Sequence, residues 1–474
     1  MINFFKKFII YSGTILLLIF FYLSSFGIET KIFNSEIKKN LRTINKNLNS
    51  ELNSVKIIIN PLKFQVNIKT LGPKIFLKNQ SIQLESIKSQ IPIFSLLKKN
   101  FSSTNLSIST KSIPIKDLIS FLRAYDNNIK FFLLERVIQN GFFIADIDLI
   151  FDENGLLQKN YSINGIVKDG KIDLLNKQKL EKVDFIFKYE DKKIDLRDLS
   201  FSLGKIIFLS EKISFKHKKN KYYVEGKIKN KQKVLSKENL NNLLGALNKD
   251  LEIEKIDFKS ENSFSFLINE KFKVKDLKIK TKLDLYDLQK KNNYDITNFF
   301  PDIDNIIRLK DQKINIEYDS ENILINGKGS LLIQKKLDQI DFRIKKNKEN
   351  YSFNFNLDLT NNQFILDLLN FLKKENSKAT LNINGNLTKK EFFFDEISLI
   401  NNNNNIYLKQ IYFDKNFKLK NIKSAKFNFI DIDNFQNKFL LEKKNKQYEF
   451  KGKTLNASQI IENIIKDDNK KKNN

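Results

Sequence analysis

The chain has no cysteine and no tryptophan, one methionine, one histidine and only five prolines in 474 residues. Without cysteine, disulfides and thiolate metal sites are excluded, although cysteine's absence does not assign a redox compartment. With a single histidine and no cysteine, the usual nucleophile–base pairs are not available. His217 sits in "SFKHKKNKYY" among lysines and reads as a solvated hairpin residue. Five prolines and 14 glycines are too few for a fibrous or low-complexity chain.

What the chain has is lysine, asparagine, isoleucine and 43 phenylalanines, with 41% hydrophobic residues overall. That is enough to bury a substantial core, and the length admits two or three domains. These abundant residues have A/T-rich codons, so the formal +28 charge reads at least partly as genome composition. A nucleic-acid binder concentrates its basic residues on one face. Here lysine is interleaved with Asp and Glu along almost every segment, and no nucleic-acid partner is expected.

The amino terminus carries the one long apolar run. Residues 1–7, with Lys6 and Lys7, precede an uncharged stretch from Phe8 to Gly27. Twenty helical residues span roughly 30 Å, the thickness of a bilayer's hydrocarbon core. Tyr11 and Tyr22 lie toward its ends, as interfacial aromatics do. Small residues at Ser25-Phe26-Gly27 also fit a signal cleavage site, but the run exceeds the usual signal core. The expectation is a retained transmembrane helix over 8–27, with the amino end cytoplasmic and the remainder outside.

Residues 28–54 are polar, with Leu41, Ile44, Leu48 and Leu52 at helical spacing, and predict a juxtamembrane helix. From there period-two alternation takes over. "LKFQVNIKTLG" puts Phe64, Val66 and Ile68 on one face, and "NYSFNFNLDLT" does so with Phe353, Phe355 and Leu357. Short polar turns such as "YEDKKI" separate the runs, as in antiparallel hairpins with one buried and one solvated face. Two β segments are expected, 55–235 and 236–466, followed by a disordered tail at 467–474. Helical periods interrupt them at "IPIKDLISFLRAY", "LSKENLNNLLGALNKD", "TNNQFILDLLNFLKKEN" and "NASQIIENIIKDD".

A recurrent detail is a glycine that continues the apolar parity of its strand: Gly165, Gly226, Gly327, Gly385 and Gly452. A missing side chain there permits a sheet corner or a widened lane along the apolar face. No catalytic or metal site emerges. "GKGS" at Gly327 lacks the upstream glycine of a phosphate loop, and carboxylate spacings such as "FIDID" name no ligand set. No enzyme and no cofactor are expected. The excess of one-sided strand surface has two solutions: paired sheets in a sandwich, or one curled sheet with an apolar trough. Such a trough would suit acyl chains, since each buried methylene is worth about 0.8 kcal/mol. Candidate lining residues are Phe64, Val66, Ile68, Ile163, Val224, Phe353, Phe355, Leu357, Ile383, Leu387, Phe427 and Phe429.

Three stretches carry a resemblance. They are "NPLKFQVNIKTLGPKIFLKNQSIQLESIKSQIPIFSLLKKNFSSTNLSISTKSIPIKDLI", "GFFIADIDLIFDENGLLQKNYSINGIVKDGKIDLLN" and the closing "YEFKGKTLNASQIIENII". Together with the apolar amino-terminal run, they resemble the AsmA-like proteins of Gram-negative bacteria, of the YhdP and TamB types, over the amino-terminal half of longer members. The resemblance implies a mostly-β fold in which a long, curled, antiparallel-rich sheet forms a hydrophobic groove, with few short helices and one transmembrane helix. It also implies an inner-membrane anchor, a periplasmic bulk and phospholipid transport toward the outer membrane, with an outer-membrane or periplasmic partner protein left open. It brings no catalytic residues. The alternatives are an outer-membrane protein assembly factor and a β-sandwich scaffold.

Overall fold

The computed structural model describes residues 2–31, 34–35, 38, 42, 45–94, 105–152, 158, 161–174, 178–219, 221–269, 271, 273–293, 295–388, 391–414, 419–445, 447–459 and 461–462. Strand accounts for 65% of the chain and helix for 16%, so the fold is mostly β: a large, open antiparallel sheet with few helices. The chain divides into two compact units. One holds residues 1–226 and 267–274, the other 227–266 and 275–474.

The first unit begins with helix α1 (Ile2–Ser25). Its stretch Phe4–Ser25 has a mean hydropathy of 2.0 and is long and apolar enough to cross a membrane. Strands β1 (Ile28–Thr30) and β2 (Leu48–Glu51) follow. The expected juxtamembrane helix is therefore shorter than 28–54: its described middle residues Asn34, Ser35, Lys38 and Arg42 are helical, while both ends are strand. Leu48 pairs with Leu77 and Ile28 with Ile57, so ladder bonds replace the helical ones. Leu41 and Ile44 lie outside the described residues.

Next come β3 (Val55–Asn60), β4 (Gln65–Leu71), β5 (Lys74–Leu77), β6 (Gln80–Pro92), β7 (Asn105–Thr110) and β8 (Ile113–Pro114). Helices α2 (Ile115–Tyr125) and α3 (Ile129–Val137) intervene before β9 (Ile138–Ile150), β10 (Ser162–Asp173), β11 (Lys179–Glu190), β12 (Lys193–Leu203) and β13 (Ile206–Lys218). The ladder runs β1, β3, β4, β6, β7, β9, β10, β11, β12, β13, all antiparallel. Helix α2 forms where expected. Leu118 and Phe121 press on Ile82, Leu84 and Ile113. Asp117 in its first turn and Arg123 in its last complement the helix dipole. Helix α3 has no clear apolar period in the sequence. Asn128 caps it by accepting from the Lys130 N–H at 3.1 Å, and Ser120 Oγ bonds Glu135 at 3.2 Å.

Strand β14 (Lys221–Ser236), helices α4 (Lys237–Leu244) and α5 (Ala246–Leu251), and strand β15 (Ile253–Asn269) lead onward. The second unit's main ladder is β16 (Val274–Lys291), β17 (Ile306–Asp319), β18 (Asn322–Leu332), β19 (Leu337–Asn347) and β20 (Asn350–Asp358), then β23 (Thr380–Leu387), β24 (Glu391–Asn401), β25 (Asn404–Asp414), β26 (Leu419–Ile430), β27 (Gln436–Lys444) and β28 (Gln447–Thr454). Each strand pairs antiparallel with the next.

Between β20 and β23 the helix expected from Phe364, Leu368 and Phe371 is replaced by a small hairpin. It consists of β21 (Phe364–Leu366), a 3-10 turn (Asp367–Leu369) and β22 (Phe371–Lys373). Tertiary packing overrides local period here. Phe371 and Phe364 are buried while Leu368 is exposed, and Asn370 adopts the left-handed conformation. Lys373 is wholly buried, and its ammonium donates to the carbonyls of Leu359, Thr360 (2.9 Å) and Asn362 (2.5 Å). Beside it Asp338 accepts from Asn362 Nδ2 at 2.7 Å and from the Asn361 N–H at 2.9 Å. Burial pushes the Lys373 ammonium below, and the Asp338 carboxyl above, their ordinary ranges. The expected helix at "NASQIIENIIKDD" lies largely, and the tail at 467–474 wholly, outside the described residues.

Candidate functional site

Cross-strand register assembles what the sequence shows only as separate alternations. In the second unit one row, β16 to β28, reads Leu283, Ile314, Gly327, Phe342, Phe355, Ile383, Ile397, Leu408, Ala425, Leu441 and Phe450. A parallel row reads Ile316, Ile325, Ile344, Phe353, Gly385, Phe394, Ile411 and Ile422. The opposite face is mostly polar, for example Lys282, Asn315, Asn326, Arg343, Asn354, Asn384, Glu396 and Lys409, with Leu324 and the packed ring pair Phe393 and Tyr412 as apolar exceptions. At one strand spacing per step, the first row runs roughly 48 Å across the ladder.

These rows are not uniformly enclosed. A third row, including Leu357, Leu399, Ile406 and Phe439, is buried beneath Phe300, Phe364 and Phe371. Packing among Phe300, Leu331, Leu357 and Leu359 leaves no room for a water molecule. Away from that cap, Phe342, Phe353, Phe355, Ile383, Phe394, Ile397 and Leu408 are only half-buried. Their rings pack on one another along the sheet. Phe353 meets Phe355 and Phe394, each at 5.7 Å between centroids, and Phe394 meets Phe413 at 5.8 Å.

The parity glycines now have a role. Gly165 sits directly across from Phe187, Gly327 from Phe342, Gly385 from Phe353 and Gly452 from Phe439. A side chain at Gly165 would begin 2.6 Å from the Phe187 ring, and one at Gly385 would begin 2.8 Å from the Phe353 ring. At these positions the gaps are filled by neighbouring phenylalanines, which replaces the idea of a widened lane. The glycines let aromatic rings lie flat across the strand.

The first unit carries its own row: Val55, Thr70, Ile87, Ile108, Ile147, Ile163, Tyr189, Ile194 and Phe215. From Ile87 onward these side chains are half-buried. Tyr189 and Tyr161 stack, with their hydroxyls 3.1 Å apart. That hydrogen bond, reinforced by burial, pushes the Tyr189 phenol up to about 12. The reverse face holds Asp195, bonded by Ser214 at 2.6 Å, Lys193 at 2.9 Å and Lys212 at 3.2 Å. Burial opposes its charged form, but these three donors outweigh burial and hold the carboxyl at about 2.

The candidate residues divide accordingly. Val66, Ile68, Ile163, Phe353, Phe355, Ile383, Leu387 and Phe427 are half-buried members of the apolar faces. Leu357, Val224 and Phe429 are buried, and Phe429 packs edge-on against Phe371, so they are core. Phe64 departs from its expected face. It ends the turn after β3 with φ +49° and is 62% exposed. Sequence reasoning missed Phe342, Phe394, Ile397 and Leu408. The run "EFFFDEISLI" hides its parity because a register shift falls between Asn384 and Gly385 where β23 pairs with β24.

A polar set interrupts the apolar face of the second unit. Asn230 Oδ1 accepts from the Ser260 N–H (3.1 Å) and hydroxyl (2.5 Å). Asn262 donates to Ser260 Oγ (2.9 Å) and the Ile228 carbonyl (3.3 Å), and accepts from Thr281 (2.8 Å). Elsewhere, His217 is exposed and lies edge-on to Tyr222, and "GKGS" runs within β18. Among the described residues no group of three His, Cys, Asp or Glu could hold a metal ion. No protein-family model, curated protein or solved structure matches this chain.

Proposed function

We propose that this is a membrane-anchored, non-enzymatic protein whose half-open apolar strand faces shield the acyl chains of phospholipid. Following the AsmA-like resemblance, the anchor would lie in the inner membrane and the β-rich bulk in the periplasm, serving phospholipid transport toward the outer membrane and envelope maintenance. The observation that carries this reading is the lane of Phe342, Phe353, Phe355, Ile383, Phe394 and Ile397. It is apolar across the paired strands, half-accessible, and backed by a reverse face that is polar at Arg343, Asn354, Asn356, Asn382 and Asn384. Contiguous apolar surface left accessible in this way marks a binding surface. The lane is long compared with the roughly 15 Å that one leaflet's tails span, and similar rows admit a tail at many positions with similar energy.

A closed sandwich would leave such residues fully enclosed, as Leu357 and Phe371 are. An assembly factor that works by adding strands to its edge needs an unprotected edge. β28 carries Glu449, Lys451 and Lys453, charges of the kind that discourage strand addition.

The test is phospholipid co-purification. The full chain is extracted in mild detergent and its lipid measured by mass spectrometry against a control membrane protein. Wild type is expected to carry excess phospholipid, Phe355→Asp to lose most of it, and Asn354→Asp on the polar face to keep it. Wild-type lipid no higher than the control would overturn the reading.

A further inference from the structure

The end of the first unit from which helix α1 departs carries an apolar rim. β1 pairs antiparallel with β3 (Ile28 with Ile57, Thr30 with Val55), so the chain running back from Ile28 to α1 heads toward the carboxyl end of β3. Gly27 lies against the Ile57 carbonyl and the Ile58 side chain. Beyond β3, at that same end, is the turn Pro61-Leu62-Lys63-Phe64. The Ile93 N–H donates to the Phe64 carbonyl at 2.9 Å, which fixes the end of β6 beside it.

The tips of these connections point their apolar side chains outward: Leu62 is 93% exposed, Phe64 62% and Phe94 66%. Phe64 holds its outward position from the left-handed region, which a bulky residue rarely adopts. Hydrophobic burial does not account for that arrangement within the protein, since the ring remains in solvent.

We propose that Leu62, Phe64 and Phe94, with Lys63 between the first two, form an interfacial anchor that dips into the leaflet from which α1 emerges. Aromatic and leucine side chains beside a lysine suit the boundary between headgroups and acyl chains. The occupant is thus a lipid surface, identified by the continuity of this rim with the membrane-spanning helix. Such contact would set the amino-terminal end of the first unit's apolar face against the bilayer. The inference rests on α1 as a membrane span and not on lipid occupancy of the lane.

The absence of tryptophan allows a direct test. Single tryptophans are placed at Leu62, Phe64, Phe94, Phe21 within α1, and Leu71 at the far end of β4, roughly 23 Å from Phe64 along the strand. Each full-length variant is reconstituted into phosphatidylcholine vesicles with and without brominated acyl chains. Leu62→Trp, Phe64→Trp and Phe94→Trp are expected to lose roughly twofold in emission to the brominated lipid and to shift to the blue, as shallow insertion requires, and Leu71→Trp is expected to do neither. Quenching at Phe21→Trp without quenching at the three rim positions overturns the anchor. No quenching at Phe21→Trp overturns the membrane reading of α1, and the rim proposal with it.

Discussion

The ring of Phe353 on β20 covers Gly385 on β23, its direct partner across the ladder, and occupies the space a side chain there would need. The Phe393 carbonyl closes the same space from the other side, so relief would require moving backbone. Gly385→Val is therefore expected to lower stability by about 1–3 kcal/mol, the usual cost of overpacking. Gly327→Val, beneath Phe342, should behave alike. Denaturant unfolding measures both, and an unchanged midpoint would mean the rings can lift away freely.

Core and lane should separate energetically. Phe371 is fully enclosed, and Phe371→Ala should cost about 3–5 kcal/mol, as truncation of a buried phenylalanine does. Phe342 is half-buried in the lane, and removing its ring should cost about half as much. Equal losses in unfolding experiments would mean that the lane is as closed as the core.

Lys373 holds its hairpin to the segment after β20 through the carbonyls of Leu359, Thr360 and Asn362. Lys373→Met keeps much of the volume but leaves those acceptors unpaired inside the protein. A loss of about 2–4 kcal/mol is expected. Faster amide exchange should appear first at Phe364–Lys373, which hydrogen-exchange mass spectrometry resolves.

Asp195 should give an acid-side signature. Its folded carboxyl titrates at about 2, below the ordinary 3.8. The folded state therefore holds fewer protons than the unfolded chain between those values. Its contribution of roughly 2 kcal/mol is present above the unfolded value and is lost as pH falls toward about 2. Asp195→Asn is expected to flatten stability across that window, and a wild-type slope in the variant would refute the assignment.

Much of this architecture was legible in the sequence because period-two alternation is a local signal. The polar and apolar faces of "NYSFNFNLDLT" and "LNINGNL" emerge as read. Register is not local. That Gly385 meets Phe353, or that Phe342, Phe355 and Ile383 align, depends on turn lengths and on shifts such as the one beside Gly385. The segment around Phe364 misled because its spacing fits a helix, while burial of Phe371 and Lys373 favours a hairpin. Phe64 misled for the opposite reason: its parity matches Val66, but the strand begins only at Gln65. Leu48 shows a third limit, since a four-residue strand leaves too few positions to outweigh an apparent helical spacing.

Asn230, Ser260, Asn262 and Thr281 spend their hydrogen-bonding capacity on one another and on nearby backbone. Under the proposed lipid-shielding role, a hydrocarbon crossing β15 would thus meet no unmet donor from this set able to trap water or hold a headgroup. In that role the stretch would offer a tail less contact than the phenylalanine rows do, and dwell times would be longer on the aromatic side.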